Sequence, residues 1–217
     1  MENKEHIEFF NQLLEKTKTA FHNSDVYKTY GNKNWGYSVT ATSFKKNAKV
    51  IVGFNWGAGK NWKVPEGSDG SQEKYPLKDF LSSYNDLGSM KRTIPFFRKY
   101  FDTIPEVQAN YCFFRSETES QISPADLLLS SKLFDELINY LEPSMLISFS
   151  KSLNDYFEQT GKLLNVKTLE ISSVNKRFKV TSGKVKIADK EIDYYNLPHP
   201  NYPVTSGARE KAWDFLF

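Results

Sequence analysis

Lys49-Val50-Ile51-Val52-Gly53-Phe54-Asn55-Trp56-Gly57-Ala58-Gly59 opens with a β-branched apolar run and breaks into three glycines. The run is short and uninterrupted, which predicts a strand over 49–54 buried on both faces. A strand that ends in a Gly-rich loop is where open α/β sheets hold their ligands, because the strand tip keeps the loop rigid. Glycine lets backbone approach a ligand closely. Asn55 adds an acceptor and two donors at that spot. Taken alone, the stretch reads as a structural turn, since Gly-rich turns after strands are common. The case for a site comes from the far end of the chain.

Working outward, residues 3–21 place Ile7, Phe9, Phe10, Leu13, Leu14, Thr17 and Phe21 near helical spacing, an amphipathic helix. Lys28 to Phe44 mixes aromatic residues with Gly and Asn and reads as loop with a short edge strand. Residues 57–75 form a polar loop longer than a connection requires. Residues 76–86 and 88–101 read as two helices, with Pro76 in a first turn and Gly88 between them. The cations Lys91, Arg92, Arg98 and Lys99 of the second read as a solvated face. Val107 to Phe114 is a second buried strand. Ser123-Pro124-Ala125-Asp126 has the form of a helix start, with the helix running to about Leu141. Met145–Phe149 is a third strand, 151–160 a helix and Val166–Ile171 a fourth strand. Residues 178–187 alternate around Ser182-Gly183 as a hairpin that Glu191–Asn196 extends. A helix starts near Ser206.

Strands alternating with helices predict an α/β fold: three layers, α/β/α, around a central mostly parallel four-stranded sheet, with a hairpin added near the C-terminus. The 217 residues suit a single domain, with 1–44 as an N-terminal helix and extension and 45–217 as the core. A net charge of +3 gives no bulk electrostatic argument for nucleic acid, so any such footprint must be a local patch. The single cysteine, Cys112, excludes a disulfide framework and a cysteine-based zinc or iron–sulfur site, and its apolar setting predicts an inert core thiol. The charged N-terminus and the lack of a long apolar run predict a soluble cytoplasmic protein with no membrane association. No cofactor or metal is expected, and a monomer is.

Tyr195-Asn196-Leu197-Pro198-His199-Pro200-Asn201-Tyr202-Pro203-Val204 sets three prolines around one histidine. Proline fixes φ, so this loop is stiff before any ligand arrives. A lone histidine is more often structural than catalytic, but one between prolines at a strand-to-helix junction has better odds. With both loops in view, the chain resembles the uracil-DNA glycosylase superfamily. Gly53-Phe54-Asn55-Trp56-Gly57 is similar to the loop after that family's first core strand, closest to the Gly-Ile-Asn-Pro-Gly form of its mismatch-specific branch. His199-Pro200-Asn201-Tyr202 resembles its His-Pro loop before the last helix. Asn110-Tyr111-Cys112-Phe113-Phe114-Arg115 is similar to a strand that opens with Asn and closes with Arg-Pro. Ile147-Ser148-Phe149-Ser150-Lys151-Ser152 is similar to a Leu-Gly-Lys-x-Ala strand-to-helix turn. The resemblance covers roughly residues 45–217. Trp56 stands where the family has proline. Asn55 stands where the most active branch has Asp. The segment 115–118 carries no side-chain amide to read a base edge.

The resemblance implies a base-excision repair enzyme that takes DNA and hydrolyses the N-glycosidic bond of uracil or another deaminated base. Asn55 and His199 are the implied catalytic pair. His199 would donate to the departing base and Asn55 would hold a water, because an amide cannot act as a general base. Gly53, Phe54, Trp56, Gly57, Ala58, Arg115, Asn201 and Tyr202 are the implied substrate-binding set. The N–H groups of Gly57 and Ala58 are candidate extra donors, Lys60 and Arg115 candidate phosphate partners, and Trp56, Trp62 or Tyr75 the candidate stacking ring. Two alternatives stand beside this: a catalytically inactive relative that binds a nucleobase, nucleotide or nucleic acid, and a hydrolase of some other small ligand on the same fold.

Overall fold

The structure, a computed structural model, describes residues 2–59, 61–65, 70–71, 73–80, 88–173 and 176–216. The strands are β1 (Lys49–Gly57), β2 (Val107–Ser116), β3 (Met145–Ser148), β4 (Leu163–Ser173), β5 (Lys176–Ile187) and β6 (Lys190–Asn196). They form one mixed sheet in the order β2-β1-β3-β6-β5-β4. Strands β2, β1, β3 and β6 run parallel, and β6, β5 and β4 continue as an antiparallel meander. The α/β class therefore holds, but the four-stranded core and the added hairpin expected from the sequence are one mixed six-stranded sheet, and residues 178–187, expected to turn at Ser182-Gly183, run straight through as part of β5. The stretch 166–171 lies in the outermost antiparallel strand, and Glu191–Asn196 takes the parallel place expected for it. The cause is visible in the burial. Leu164 to Leu169 are half-buried or exposed, whereas Ile192 and Tyr194 are buried.

Helices cover both faces because β1 is apolar on both. Val50, Val52 and Phe54 join a core with Phe134, Leu137 and Leu141 of α4 (Pro124–Leu141), Leu153 and Phe157 of α5 (Lys151–Gln159), and Phe10 and Leu13 of α1 (Glu2–Asn23). Ile51 and Ile147 face the other way. They meet Phe97 of α3 (Ile94–Phe101) and Trp213 of α6 (Ser206–Asp214). Cys112 is fully buried and its thiol is pushed up to about 12 by desolvation, as an inert core thiol should be.

Two further elements depart from expectation. Residues 25–30 form a short helix, α2 (Asp25–Tyr30), and Tyr37 and Thr40 bridge antiparallel to the outer edge of β2. Of the helix expected over 76–86, residues 76–80 are non-helical and 81–87 lie outside the described residues. The helix expected over 88–101 is a 3-10 segment, Gly88–Thr93, followed by α3 with Pro95 in its first turn. Among the described residues no helix is long and apolar enough to cross a membrane.

The Ser123-Pro124-Ala125-Asp126 start is a full capping box, as its spelling predicts. Asp126 is completely buried and does more than cap. Its carboxylate accepts from the backbone N–H of Ser123 (2.9 Å) and of Asp25 (2.7 Å), tying the starts of α4 and α2 together. Asp126→Ala removes the buried acceptor of both part-buried donors. A stability loss of about 3 kcal/mol is expected, read from the urea midpoint at unchanged m-value.

Candidate functional site

Parallel strands point their C-terminal ends one way, so β1, β2, β3 and β6 deliver their loops to one edge of the sheet. The Asn55 loop follows β1 and the His199 loop follows β6. One strand, β3, separates them, a lateral distance of about 10 Å at the usual strand spacing. Asn55 and His199 share no hydrogen bond with each other.

Alternation along β1 decides which face each residue serves. Ile51, Gly53 and Asn55 lie on the side of α3 and α6. Val52 and Phe54 lie on the side of α4 and α5, and alternation sets Trp56 with them. Asn55 Nδ2 donates to Ser116 Oγ (2.7 Å) and weakly to the Phe114 carbonyl (3.4 Å). These contacts fix the amide's orientation and leave Oδ1 as its free acceptor. Gly53 pairs with Asn110 in β2. Asn110 is 4% exposed and no hydrogen bond joins its carboxamide to another described residue, but neither of its polar atoms is among those sealed from solvent without a partner. Its Oδ1 lies so close over Gly53 that a Cβ there would sit 2.2 Å away, and Met90 Cε closes the other side at 3.2 Å. Asn110 and Asn55 are thus diagonal neighbours on one face. Asn110 is a side-chain amide on this face that the sequence reading did not count among its site residues. An amide was sought after β2, in 115–118, and this one stands within the strand. The signal was the Gly53–Asn110 pairing, which only register reveals.

The Gly88–Thr93 segment links this face to the second loop. Met90 rests over Gly53, and Arg92 Nη1 donates to Asn201 Oδ1 (3.0 Å). Arg92, expected to be a solvated cation, is therefore a loop contact. The His199 loop closes on itself through Tyr202 N–H to the His199 carbonyl (2.7 Å), and Arg209 of α6 donates to the Tyr202 carbonyl (3.1 Å). Lys176 Nζ stands 5.2 Å over the Tyr202 ring. His199 is half-buried. Its Nδ1 accepts from the Asn201 N–H (3.2 Å), so the neutral ring carries its proton on Nε2, which has no partner among the described residues. Burial first, then the charges of Arg209 and Arg92, hold its pKa below the ordinary value near 6.5.

A pH prediction follows, with its sign. A lowered folded-state pKa means the unfolded chain binds the proton more readily. The stability from neutral His199 is complete above about pH 6.5 and drains away as pH falls from there through the lowered value. His199→Gln should flatten this acid slope in thermal melts between pH 7 and pH 5 and leave the pH 8 melting temperature nearly unchanged.

Other expected site residues go elsewhere. Phe54 is core. The Ala58 N–H is committed to the Ser116 carbonyl (2.8 Å), so it cannot serve as an extra donor, and Gly57 contributes its carbonyl to Arg115 Nη1 (3.3 Å). Trp56 and Arg115 pair across β1 and β2 on the face opposite Asn55. Tyr75 belongs to a cluster with Phe10 and Phe44 under α1. Lys60 lies outside the described residues. No group of three or more His, Cys, Asp or Glu side chains among the described residues is placed to hold a metal ion. No protein-family model and no curated protein matches this chain in sequence.

Proposed function

We propose that the chain is a divergent uracil-DNA glycosylase-like protein, acting on uracil or another deaminated base in DNA. The observation that carries this is Asn110. Its carboxamide is held over Gly53, where any side chain would displace it, and it spends no hydrogen bond on another described residue. A flat ring with an adjacent N–H and C=O would fill both halves of the amide. Asn55 on the same face and His199 on the same edge supply the rest, and the four parallel strands support the reading.

In this scheme the base leaves the stack and enters the cleft, where Asn110 meets its edge. Water adds through its oxygen to the sugar C1′ while the glycosidic bond breaks, and the bonding pair leaves with the base. His199 Nε2–H, kept neutral, donates to the base oxygen where that charge collects. Asn55 Oδ1 accepts from the water and aims it. The water's second proton passes to solvent, because Asn55 cannot take it. Arg92, Lys176 and Arg209 form the local basic patch that the modest net charge demanded.

The test is a panel of uracil- and hypoxanthine-containing oligonucleotides, single-stranded and as G·U and A·U duplexes, read by alkaline cleavage at abasic sites. Product that falls at least a hundredfold in Asn110→Ala and His199→Ala supports the proposal. No product on any substrate removes it. The second reading, binding without cleavage, is favoured by one observation: position 55 is an amide whose N–H groups are already engaged. Retained affinity for uracil-containing DNA, abolished by Asn110→Ala and without product, would select it.

A further inference from the structure

Beside β2, two residues expected at the Asn55 loop, Arg115 and Trp62, line a different cavity. It measures about 210 Å³ and is lined by Tyr37, Ser38, Trp62, Glu73 and Arg115 among others. Arg115 lies against the Trp62 ring, 4.3 Å from guanidinium carbon to ring centroid. Trp62 is itself fixed by its indole N–H on the Trp35 carbonyl (3.0 Å). Of the five guanidinium N–H groups, one donates to the Gly57 carbonyl, and Arg115 closes no salt bridge among the described residues. Across the cavity, Glu73 accepts from Ser38 Oγ (2.6 Å) and from the backbone N–H of Val39 (2.7 Å) and Thr40 (3.2 Å). Three acceptor positions are filled and one remains. The wall is rigid. Tyr37 N–H is bonded to the Gly70 carbonyl (2.9 Å), and Gly36, at φ +73°, approaches that carbonyl so closely that a Cβ would stand 2.0 Å from it.

The chemistry of this lining selects its ligand. Free N–H donors at one end call for carbonyl oxygens, and one open carboxylate position at the other calls for an N–H. Indole and phenol rings between them call for a flat ring. The Arg115 and Glu73 charges face the same space and offset one another, which favours a net-neutral ring over a free phosphate or carboxylate. The volume is below the ~300–1,000 Å³ of pockets for drug-sized ligands, which suits one ring system and not a whole nucleotide chain. We infer that this cavity is a second nucleobase site, for a neutral base that carries a ring carbonyl and an N–H, such as guanine, uracil or thymine. It is separate from the Asn55–His199 cleft, and it goes beyond the proposed reaction without depending on it. The Arg115 contact to the Gly57 carbonyl joins the two sites through one loop.

The experiment is calorimetric titration of the full chain with guanosine, uridine, thymidine and adenosine. The carbonyl-bearing nucleosides are expected to bind at least tenfold more tightly than adenosine, which has no ring carbonyl. Trp62→Ala and Arg115→Gln should each weaken that binding at least tenfold. Trp62→Phe, which keeps an aromatic wall, should retain it and guard against simple misfolding. Leu128→Ala, at an exposed position of α4 that lines neither site, should leave it unchanged. Binding that vanishes in Asn110→Ala but survives Arg115→Gln would place the ligand in the other cleft and overturn the inference. Equal binding of adenosine, or no binding at all, would also overturn it. A chain that binds nucleosides through Trp62 and Arg115 yet yields no abasic product would sustain this inference and discard the glycosylase reading.

Discussion

Gly53→Ala is expected to lose both stability and base recognition, and Asn110→Ala in the same chain is expected to restore only the first. Gly53 has no unusual backbone angle to protect, so its reason for being glycine is space. An added Cβ would stand 2.2 Å from Asn110 Oδ1 and 3.2 Å from Met90 Cε. The methionine end can yield. The carboxamide is inside β2 at 4% exposure and must rotate away or push the strands apart. Overpacking of this kind costs about 1–3 kcal/mol. Removing the carboxamide removes the clash, so the double variant should regain most of that loss, a coupling of similar size in the cycle. Activity follows a different rule. Both single variants and the double variant lack a correctly placed amide, so abasic product should fall at least a hundredfold in all three. Thermal melts and the oligonucleotide panel together give the cycle. A Gly53→Ala chain with unchanged melting temperature would show that Asn110 does not lie over position 53.

Much of the architecture was readable because local chemistry and tertiary demand agree. The run Val50–Phe54 is apolar on consecutive positions and is buried on both faces. Ser123 to Asp126 spells a cap and forms one. The misreadings arose where local pattern is silent about partners. Val166–Ile171 and Glu191–Asn196 are both short and β-prone, and nothing within either stretch says which pairs parallel with β3. The pairing of Met145 with Asp193 and of Ser148 with Asn196 settles it. The candidate site divides in the same way. Gly53, Asn55 and His199 stand out by composition, whereas Asn110 is met in the sequence only as the first residue of a family-like strand, and register is what sets it opposite Gly53. Trp56 and Arg115 were grouped with Asn55 by nearness in sequence or pairing. Period-two alternation sends them to the other face, where Arg115 finds Trp62.

Asn55→Asp is the substitution expected to raise activity, and its size separates cleavage from mere binding. Asn55 Nδ2 now faces two acceptors, Ser116 Oγ at 2.7 Å and the Phe114 carbonyl at 3.4 Å. In the variant an oxygen takes that place. Ser116 can turn its hydroxyl toward it and give up its present bond to the Thr118 carbonyl (2.8 Å). The Phe114 carbonyl cannot adapt, and its negative end disfavours the ionised acid. The introduced carboxyl should therefore titrate above the usual range for aspartate, toward neutrality, where a general base is most effective. In the proposed scheme position 55 holds the water, so the new group would gain proton-acceptor ability without having to be moved. General-base catalysis is typically worth 10²–10⁴-fold. Part of that is lost to the poorer fit against Phe114, and a rise in abasic product of at least tenfold remains, with a rate that climbs with pH through the carboxyl's titration. A protein that only binds bases has no aligned water and no His199 donor in reach of the leaving oxygen. Asn55→Asp would then change affinity and yield no product at any pH, and the edge-on arrangement of Asn110, Asn55 and His199 would be a binding cleft alone.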